Sequence, residues 1–444
     1  MSLDDRCGYK EKEVLPFMQS SQEKLQFLLL EILSTQPVDP GMLQEMDAEG
    51  WQTVSKMVQQ HRLGPLFFWR IGREQKHVYS LIPEEIRDTL QKSFLSSNFR
   101  SLALQKELIE IVRHLNAANI PCIVLKGPYL AWFAYPNPGL RPCRDLDLLV
   151  PADKVVHAFD VLLKCGYEKS HAAVDPLMTE DANHLTHLIA KKSKIAIELH
   201  YSIYYKHSNH ASIPLDQDVD YWSRKVQQTI ANVEISYFSP MDALLHLIVH
   251  AVYQHNMSNG PLVLSDLAYL LRKEKIDWPA FWALASIGNW ERGSHLVLKA
   301  VARYYQDVDV DFSESLLKGR VDENIISSFL FLSLRDTKSS ANVILHAKEK
   351  QLKLARFIVM CLGELFPSRH SISARYNIDI NSFALTIGYV RRWTDLFLRY
   401  FPNYLLAKKH PQLSHEAEQL FQLRTWLRGD KVRFQDQIVH QESR

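Results

Sequence analysis

Apolar residues recur at helical spacing through the first part of the chain. A first amphipathic face is formed by Leu25, Leu28, Leu29, Ile32 and Leu33. Pro83, followed by two glutamates, is typical of a helix start and predicts a long helix to about residue 118. Helical spacing returns from about Pro240 onward. These patterns predict two helical regions, residues 1–118 and 240–444.

The pattern changes to that of strands between residues 119 and 239. The run Ile123–Leu125 is apolar and partly β-branched, which predicts a buried strand. Over residues 145–150, acidic residues alternate with apolar ones, which is typical of a strand. Residues 185–199 suggest a hairpin that turns at residues 191–193. The predicted fold class is therefore α+β, with a small mixed-sheet core, residues 119–239, embedded in a mostly helical protein.

A turn suited to an anion follows the first predicted strand. Gly127 permits a tight turn, and Pro128 is favoured at the first position of a helix. A helix start after such a turn offers backbone N–H groups and the positive end of the helix dipole to an anion. Lys126 adds a positive charge beside these groups. This turn is a candidate phosphate site.

Acidic side chains mark the next strand. Asp145 and Asp147 point to one face of a strand, because side chains alternate between faces. Two adjacent carboxylates repel each other, and oxygen ligands favour Mg²⁺ or Mn²⁺ between them. In the later hairpin, Glu198 and His200 share a face. If that strand lies beside the Asp145–Asp147 strand, Glu198 supplies a third carboxylate.

Composition excludes several classes of protein. The chain has 444 residues, 46% of them hydrophobic, and a net charge of +2, so no global basic field indicates nucleic acid binding. Five cysteines without C-x-x-C spacing predict reduced thiols, no structural zinc and a cytoplasmic location. The polar N-terminus shows no signal peptide, and no apolar run predicts a membrane span.

Five short motifs carry a family resemblance. They are Leu125-Lys126-Gly127, Tyr135-Pro136, Gly139-Leu140-Arg141, Asp145-Leu146-Asp147 and Glu198-Leu199-His200. Together they resemble a bacterial family of uncharacterised nucleotidyltransferases, within the superfamily that shares the DNA-polymerase-beta-like fold. The chain departs from the superfamily's Gly-Ser or Gly-Gly turn, because Gly127 is followed by a proline, which lacks an N–H donor.

The resemblance implies a role for each motif residue. Asp145, Asp147 and Glu198 would be catalytic and would bind Mg²⁺ or Mn²⁺. The nucleotide-binding residues would be Lys126, Gly127, Arg141 and Arg144. His200 would contact the substrate or act as a base.

The resemblance also implies a reaction. The chain would move a nucleoside monophosphate from an NTP, such as ATP, to an unidentified acceptor hydroxyl or phosphate on a small molecule, a protein or an RNA. Two alternatives stay open: a toxin-like transferase that modifies tRNA, and a nucleotide-binding protein with little catalysis. The basic aromatic segment 389–410 suggests a packed helix with a solvated edge, a membrane surface or an RNA contact.

Two histidines four residues apart on a helix are a feature of some zinc hydrolases. His246 and His250 lie four residues apart, but the residues between them are all apolar. A zinc hydrolase of the H-E-x-x-H class is therefore excluded.

Overall fold

The computed structural model describes most of the chain. The described residues are 21–35, 37–44, 46–170, 183–203, 220–317, 321–335, 365–376, 378–400 and 411–429. Within them, a seven-stranded mixed sheet is flanked by helices from both ends of the chain. The predicted α+β class is confirmed, and the three-part division into residues 1–118, 119–239 and 240–444 stays a prediction.

Helices occupy the chain before the sheet. They are α1 (Ser21–Leu33), α2 (Pro40–Gln44), α3 (Ala48–Gln60), α4 (Gly64–Arg73), α5 (Lys76–Tyr79) and α6 (Glu84–Ala117). The side chain of Asp47 caps α3 by accepting from the backbone N–H of Gly50. Glu84 and Glu85 lie in the first turn of α6, where acids favour the positive end of the helix dipole. The predicted long helix is therefore confirmed.

The sheet is built from the middle of the chain. Its strands are β1 (Ile123–Val124), β2 (Asp145–Leu149), β3 (Tyr167–Lys169), β4 (Leu188–Ala190), β5 (Ala196–His200), β6 (Val226–Ile230) and β7 (Val233–Tyr237). Their order across the sheet is β3-β4-β5-β2-β1-β7-β6. Strands β2 and β5 are parallel neighbours, as are β1 and β7, whereas the other adjacent pairs are antiparallel.

The hairpin β6–β7 is a part of the sheet that the sequence analysis does not predict. Its strands alternate between buried or half-buried and more exposed residues. Ala231 and Asn232 both have positive φ angles, which is the conformation that a two-residue hairpin turn requires. The pairing of Ile230 with Val233 closes the hairpin around these two residues.

Short helices connect the strands, and longer ones follow the sheet. The connecting helices are α7 (Gly127–Tyr129), which continues as a π-helix (Leu130–Ala134), a 3₁₀ turn (Pro138–Leu140), α8 (Val155–Lys164) and α9 (Tyr221–Arg224). After the sheet come α10 (Pro240–Val249) with a π-helix (His250–Gln254), α11 (Leu262–Lys273), α12 (Trp278–Ile287), α13 (Glu291–Tyr304), α14 (Glu323–Ser333), α15 (Arg369–Tyr376), α16 (Ala384–Asp395) with a π-helix (Leu396–Tyr400), and α17 (Pro411–Leu427).

One set of contacting apolar side chains joins these elements. It runs from Leu28 in α1, through Leu146 and Ile197 in the sheet, to Leu420 in α17, and each of these side chains is at most 1% exposed.

The basic aromatic segment, residues 389–410, is helical up to residue 400. Within it, Trp393 donates its indole N–H to the Leu365 carbonyl. Residues 401–410 of that segment lie outside the described residues. Among the helices described, none is long and apolar enough to cross a membrane.

Candidate functional site

The turn after β1 is held in an unusual backbone conformation. Lys126 has a φ of 55°, and α7 begins at the next residue. Leu125 donates its backbone N–H to the carbonyl of Asp147, which fixes the turn against β2. The left-handed conformation thus falls on Lys126 rather than on Gly127. Glycine is needed at 127 for space, because a Cβ there would collide with the Arg141 guanidinium and the Cys143 sulfur.

The parallel pairing of β2 with β5 brings the acidic residues together. Asp147 pairs with Glu198, and Asp145 pairs with Ala196. Paired residues of adjacent strands project to the same face, so three carboxylates line one face of two strands. On the other face, Leu146, Leu148, Ile197 and Leu199 are fully buried. The alternation predicted from the sequence therefore places apolar residues on the core face and acidic residues on the opposite face.

Asp147 is the best-neutralised of these acids. Its Oδ1 accepts from the Lys126 ammonium at 3.1 Å and contacts His200 Nε2 at 3.0 Å. Burial alone would raise the pKa of Asp147, but Lys126 and His200 hold that pKa well below its ordinary value. The Lys126 ammonium in turn has a raised pKa, because Asp147 and Glu198 outweigh its burial. This pair is therefore ionised at neutral pH.

Asp145 stands in the opposite situation. Burial and the neighbouring charges of Asp147 and Glu198 raise the pKa of the Asp145 carboxyl above its ordinary value. Arg144, the residue before it, is exposed, and its carbonyl accepts a hydrogen bond from Arg100 at 2.7 Å. At the Asp145 carboxyl, burial and the negative charges of Asp147 and Glu198 outweigh the positive charges of Lys126 and Arg141, which favours binding of a cation.

Histidines surround the acidic face. His200 Nε2 lies 3.0 Å from Asp147 Oδ1 and 3.4 Å from Glu198 Oε2, and His187 Nε2 lies 3.1 Å from Glu198 Oε1. Burial lowers the pKa of His200, but its hydrogen bonds to Asp147 and Glu198 outweigh burial and raise that pKa overall. His184 pairs with His200 through a single antiparallel bridge, and burial lowers the pKa of His184.

The helix after the sheet adds buried histidines behind this face. Burial, reinforced by the charge of Lys126, lowers the pKa of His246 to about 3 and that of His255 to about 4. These side chains are neutral at physiological pH. His246 is almost fully buried, at 3% exposure, so it packs within the protein.

Arg141 is engaged by a different acid. Its guanidinium makes a bidentate pair with Asp266 of α11, from Nε to Oδ1 at 3.1 Å and from Nη2 to Oδ2 at 2.9 Å. The Tyr135 hydroxyl donates to the same carboxylate at 2.8 Å. Burial lowers the pKa of Arg141, but Asp266 outweighs burial and raises it well above the ordinary value. This cluster holds the Arg141 guanidinium against the Gly127 turn.

The structure brings most of the predicted site residues together. Lys126, Asp145, Asp147, Glu198 and His200 share one face, with Gly127 at the adjoining turn. Arg141 touches that turn from the side of Asp266, and Arg144 is exposed at the start of β2. Their roles in binding and catalysis stay predictions. Three contributors were missed: Asp266, which no local pattern marks, and the pair His184 and His187, whose spacing of three residues was the available signal.

The donor set fits a divalent cation. Asp147, Glu198 and His200 have ligand atoms within 4.8 Å of one another, and Asp145 lies two residues before Asp147 on the same face of β2. Oxygen-rich sets of this kind suit Mg²⁺ and Mn²⁺. The fit rests on the excess of carboxylates over cations on this face.

Comparison with known protein families gives a match. The model of a family described as uncharacterised nucleotidyltransferase matches residues 47–306. That range contains the whole sheet, the acidic face and Asp266. No curated protein matches the chain.

Proposed function

The chain belongs to the uncharacterised nucleotidyltransferase family, and from this premise we propose that it moves a nucleoside monophosphate from an NTP to an acceptor, with Mg²⁺ or Mn²⁺ as cofactor. The observation that carries the proposal is the acidic face of β2 and β5. Asp145, Asp147 and Glu198 share this face, and Lys126 lies beside them at a turn that leads into a helix.

The metal would be held by Asp145, Asp147 and Glu198. Bound there, it would lower the pKa of an acceptor hydroxyl and offset the charge that develops on the α-phosphate. His200 holds Oδ1 of Asp147 and also lies near Glu198. It therefore positions the carboxylates rather than replacing one of them.

The protein's own groups account for binding and proton transfer. The Lys126 ammonium lies 3.1 Å from Asp147 Oδ1 on the acidic face and would bind the β- and γ-phosphates. A Glu198 carboxylate oxygen takes the proton of the acceptor hydroxyl. The acceptor oxygen then bonds to the α-phosphorus while the bond from the α-phosphorus to the bridging oxygen breaks, and pyrophosphate leaves.

The two arginines have unequal support as nucleotide contacts. The Arg141 guanidinium is bound at both ends of its fork to Asp266, so its proposed contribution is to hold the Gly127 turn and to contact phosphate at most through its remaining N–H group. Arg144 is exposed beside Asp145 and is free to reach a bound triphosphate.

The described cysteines Cys122, Cys143 and Cys165 are unbridged, which supports the proposed cytoplasmic location.

Labelling tests the reaction. The protein is incubated with α-labelled nucleotides, Mg²⁺ or Mn²⁺, and a cell extract that is then separated into RNA, protein and small molecules. Label in one fraction identifies the acceptor class, and label in tRNA alone would favour the tRNA-modifying alternative. Binding of nucleotide with no label transferred to any fraction would overturn the proposal in favour of a nucleotide-binding protein.

Glu198 offers the sharper test of mechanism. In Glu198→Gln, transfer is expected to fall by about 100-fold or more, because a positioned base contributes that much. Nucleotide affinity should stay within several-fold. Glu234→Gln, an exposed change on β7, is the matched control and should keep full activity. Equal losses of binding and turnover in Glu198→Gln would contradict the assigned role.

A further inference from the structure

A second group of potential metal ligands lies at the edge of the acidic face. His184, His187 and Glu198 have ligand atoms that all lie within 4.8 Å of one another. The His187 Nε2 atom is 3.1 Å from Glu198 Oε1, and the rings of His184 and His187 have centroids 5.2 Å apart. The β4–β5 hairpin assembles the group, because Glu198 lies on β5 and the histidines directly precede β4, its antiparallel partner.

The backbone holds these histidines in place. Leu185 donates its N–H to the carbonyl of Leu199, and His184 forms its bridge with His200 in the same stretch. Ser170 donates its N–H to the carbonyl of His187. Both histidines therefore stand on backbone that is bonded to the sheet, which positions them relative to Glu198.

The hydrogen bond of His184 to the backbone is of the kind that metal-binding histidines make. The His184 Nδ1 lies 2.8 Å from the carbonyl oxygen of Leu185, which can only accept, so Nδ1 carries the proton. In the neutral ring this leaves Nε2 with a free electron pair. Metal-binding histidines characteristically donate their second ring nitrogen to a carbonyl or carboxylate in this way.

The ligand types differ from those of the Asp145–Asp147 pair. Two imidazoles and one carboxylate suit borderline transition metals, whereas Mg²⁺ prefers oxygen ligands alone. Three protein ligands leave a coordination position open, as catalytic rather than structural zinc sites do. The His187 side chain is 43% exposed and that of Glu198 is 17% exposed, so an ion can enter from solvent.

We propose that His184, His187 and Glu198 bind one divalent transition-metal ion of the Zn²⁺ or Co²⁺ type, next to the site proposed for Mg²⁺. Glu198 is shared between the two sites. An ion held by the histidines would therefore compete for, or orient, the carboxylate that the proposed transfer reaction uses. The histidine site itself does not depend on that reaction.

Co²⁺ provides a direct probe of the site. The full chain is stripped with EDTA, dialysed free of the chelator and titrated with Co²⁺ in an excess of Mg²⁺. The visible absorption of Co²⁺ reports its ligands, and calorimetry with Zn²⁺ gives affinity and stoichiometry. We expect one equivalent that Mg²⁺ does not displace and a spectrum typical of nitrogen ligation.

Matched variants assign the ion to its ligands. His184→Gln/His187→Gln should weaken Zn²⁺ binding by about 100-fold or more, beyond the effect of outer-shell groups. His77→Gln/His157→Gln removes two exposed histidines elsewhere and should leave binding unchanged. Glu198→Gln should weaken binding, whereas Asp145→Asn should retain it, because Asp145 is not in the ligand group. Circular dichroism confirms that each variant is folded.

Two results would overturn the proposal. One is wild-type protein that takes up no Mg²⁺-resistant equivalent, in which case His187 and Glu198 form an ion pair only. The other is equal affinity in wild type and in the folded His184→Gln/His187→Gln variant. Failure of the nucleotide reaction would be seen separately, as absent label transfer with Zn²⁺ binding intact.

Discussion

Asp147 and Asp266 are both buried carboxylates that face a cation, yet their surroundings differ. Asp266 is 3% exposed and is matched by one bidentate guanidinium and one phenol, from Arg141 and Tyr135. Asp147 is 5% exposed and is matched by Lys126 and His200, but Asp145 and Glu198 stand on the same face. The first cluster is balanced, whereas the second has more acids than cations.

This difference separates a structural cluster from a candidate binding site. A buried ion pair whose polar atoms are all bonded is not stabilised further by a ligand. Removing one partner leaves a buried charge uncompensated. On the face with excess carboxylates, the pKa of Asp145 is raised, and an added cation would stabilise the folded protein. The two clusters should therefore respond in opposite ways to removal of an acid and to addition of metal.

The largest expected effect is at the balanced cluster. Asp266→Asn keeps the shape of the side chain but leaves Arg141 without its counter-charge, and it should lower the free energy of unfolding by about 3–5 kcal/mol. Urea denaturation measures the change. Asp160→Asn, an exposed substitution on α8, is the control. A loss similar to that of the control would mean that Arg141 and Asp266 are not a structural pair.

The second effect concerns stabilisation by ligand. Mg²⁺ and nucleotide together should stabilise the wild-type protein by about 2.7 kcal/mol at one hundred times the dissociation constant. Asp145→Asn should lose nearly all of this gain. Asp266→Asn should keep it, starting from a lower stability. Thermal melts with and without ligand measure the gain, and an unchanged shift in Asp145→Asn would remove Asp145 from the metal site.

The smallest effect distinguishes the two aspartates of β2 in EDTA. The raised pKa of Asp145 means that its ionised form costs stability once the pH exceeds that pKa. Asp145→Asn should therefore melt higher than wild type at pH 7, and this advantage should fade as the pH falls toward about 4, near the ordinary value for aspartate.

Asp147 has the opposite sign. Because its folded pKa lies well below the ordinary value, its ionised form adds stability above that value, and the contribution is lost as the pH falls through the folded pKa. Asp147→Asn should thus melt lower than wild type at pH 7. Matching melts of the two variants across this pH range are the measurement. The same direction of change in both would contradict the charge balance described above.

Much of the fold could be predicted because it rests on local patterns. The alternation in β2 and in β5 places Leu146 and Ile197 in the core and the acids on the other face, and a one-residue shift would bury the acids instead. The long helix α6 follows from its proline and acidic start. The hairpin β6–β7 was missed because its turn, Ala231-Asn232, lacks the Asn-Gly or Asp-Gly pair that is typical of such turns.

The sequence by itself determined which residues share the face of the candidate site. Strand periodicity assigned Asp145, Asp147, Glu198 and His200 to faces, because successive side chains on a strand alternate. Tertiary structure decided which charges meet. The parallel register that sets Asp147 opposite Glu198 and the pairing of Arg141 with Asp266 join residues that lie 51 and 125 positions apart in the printed sequence. No local pattern fixes such contacts, since they depend on how strands and helices pack.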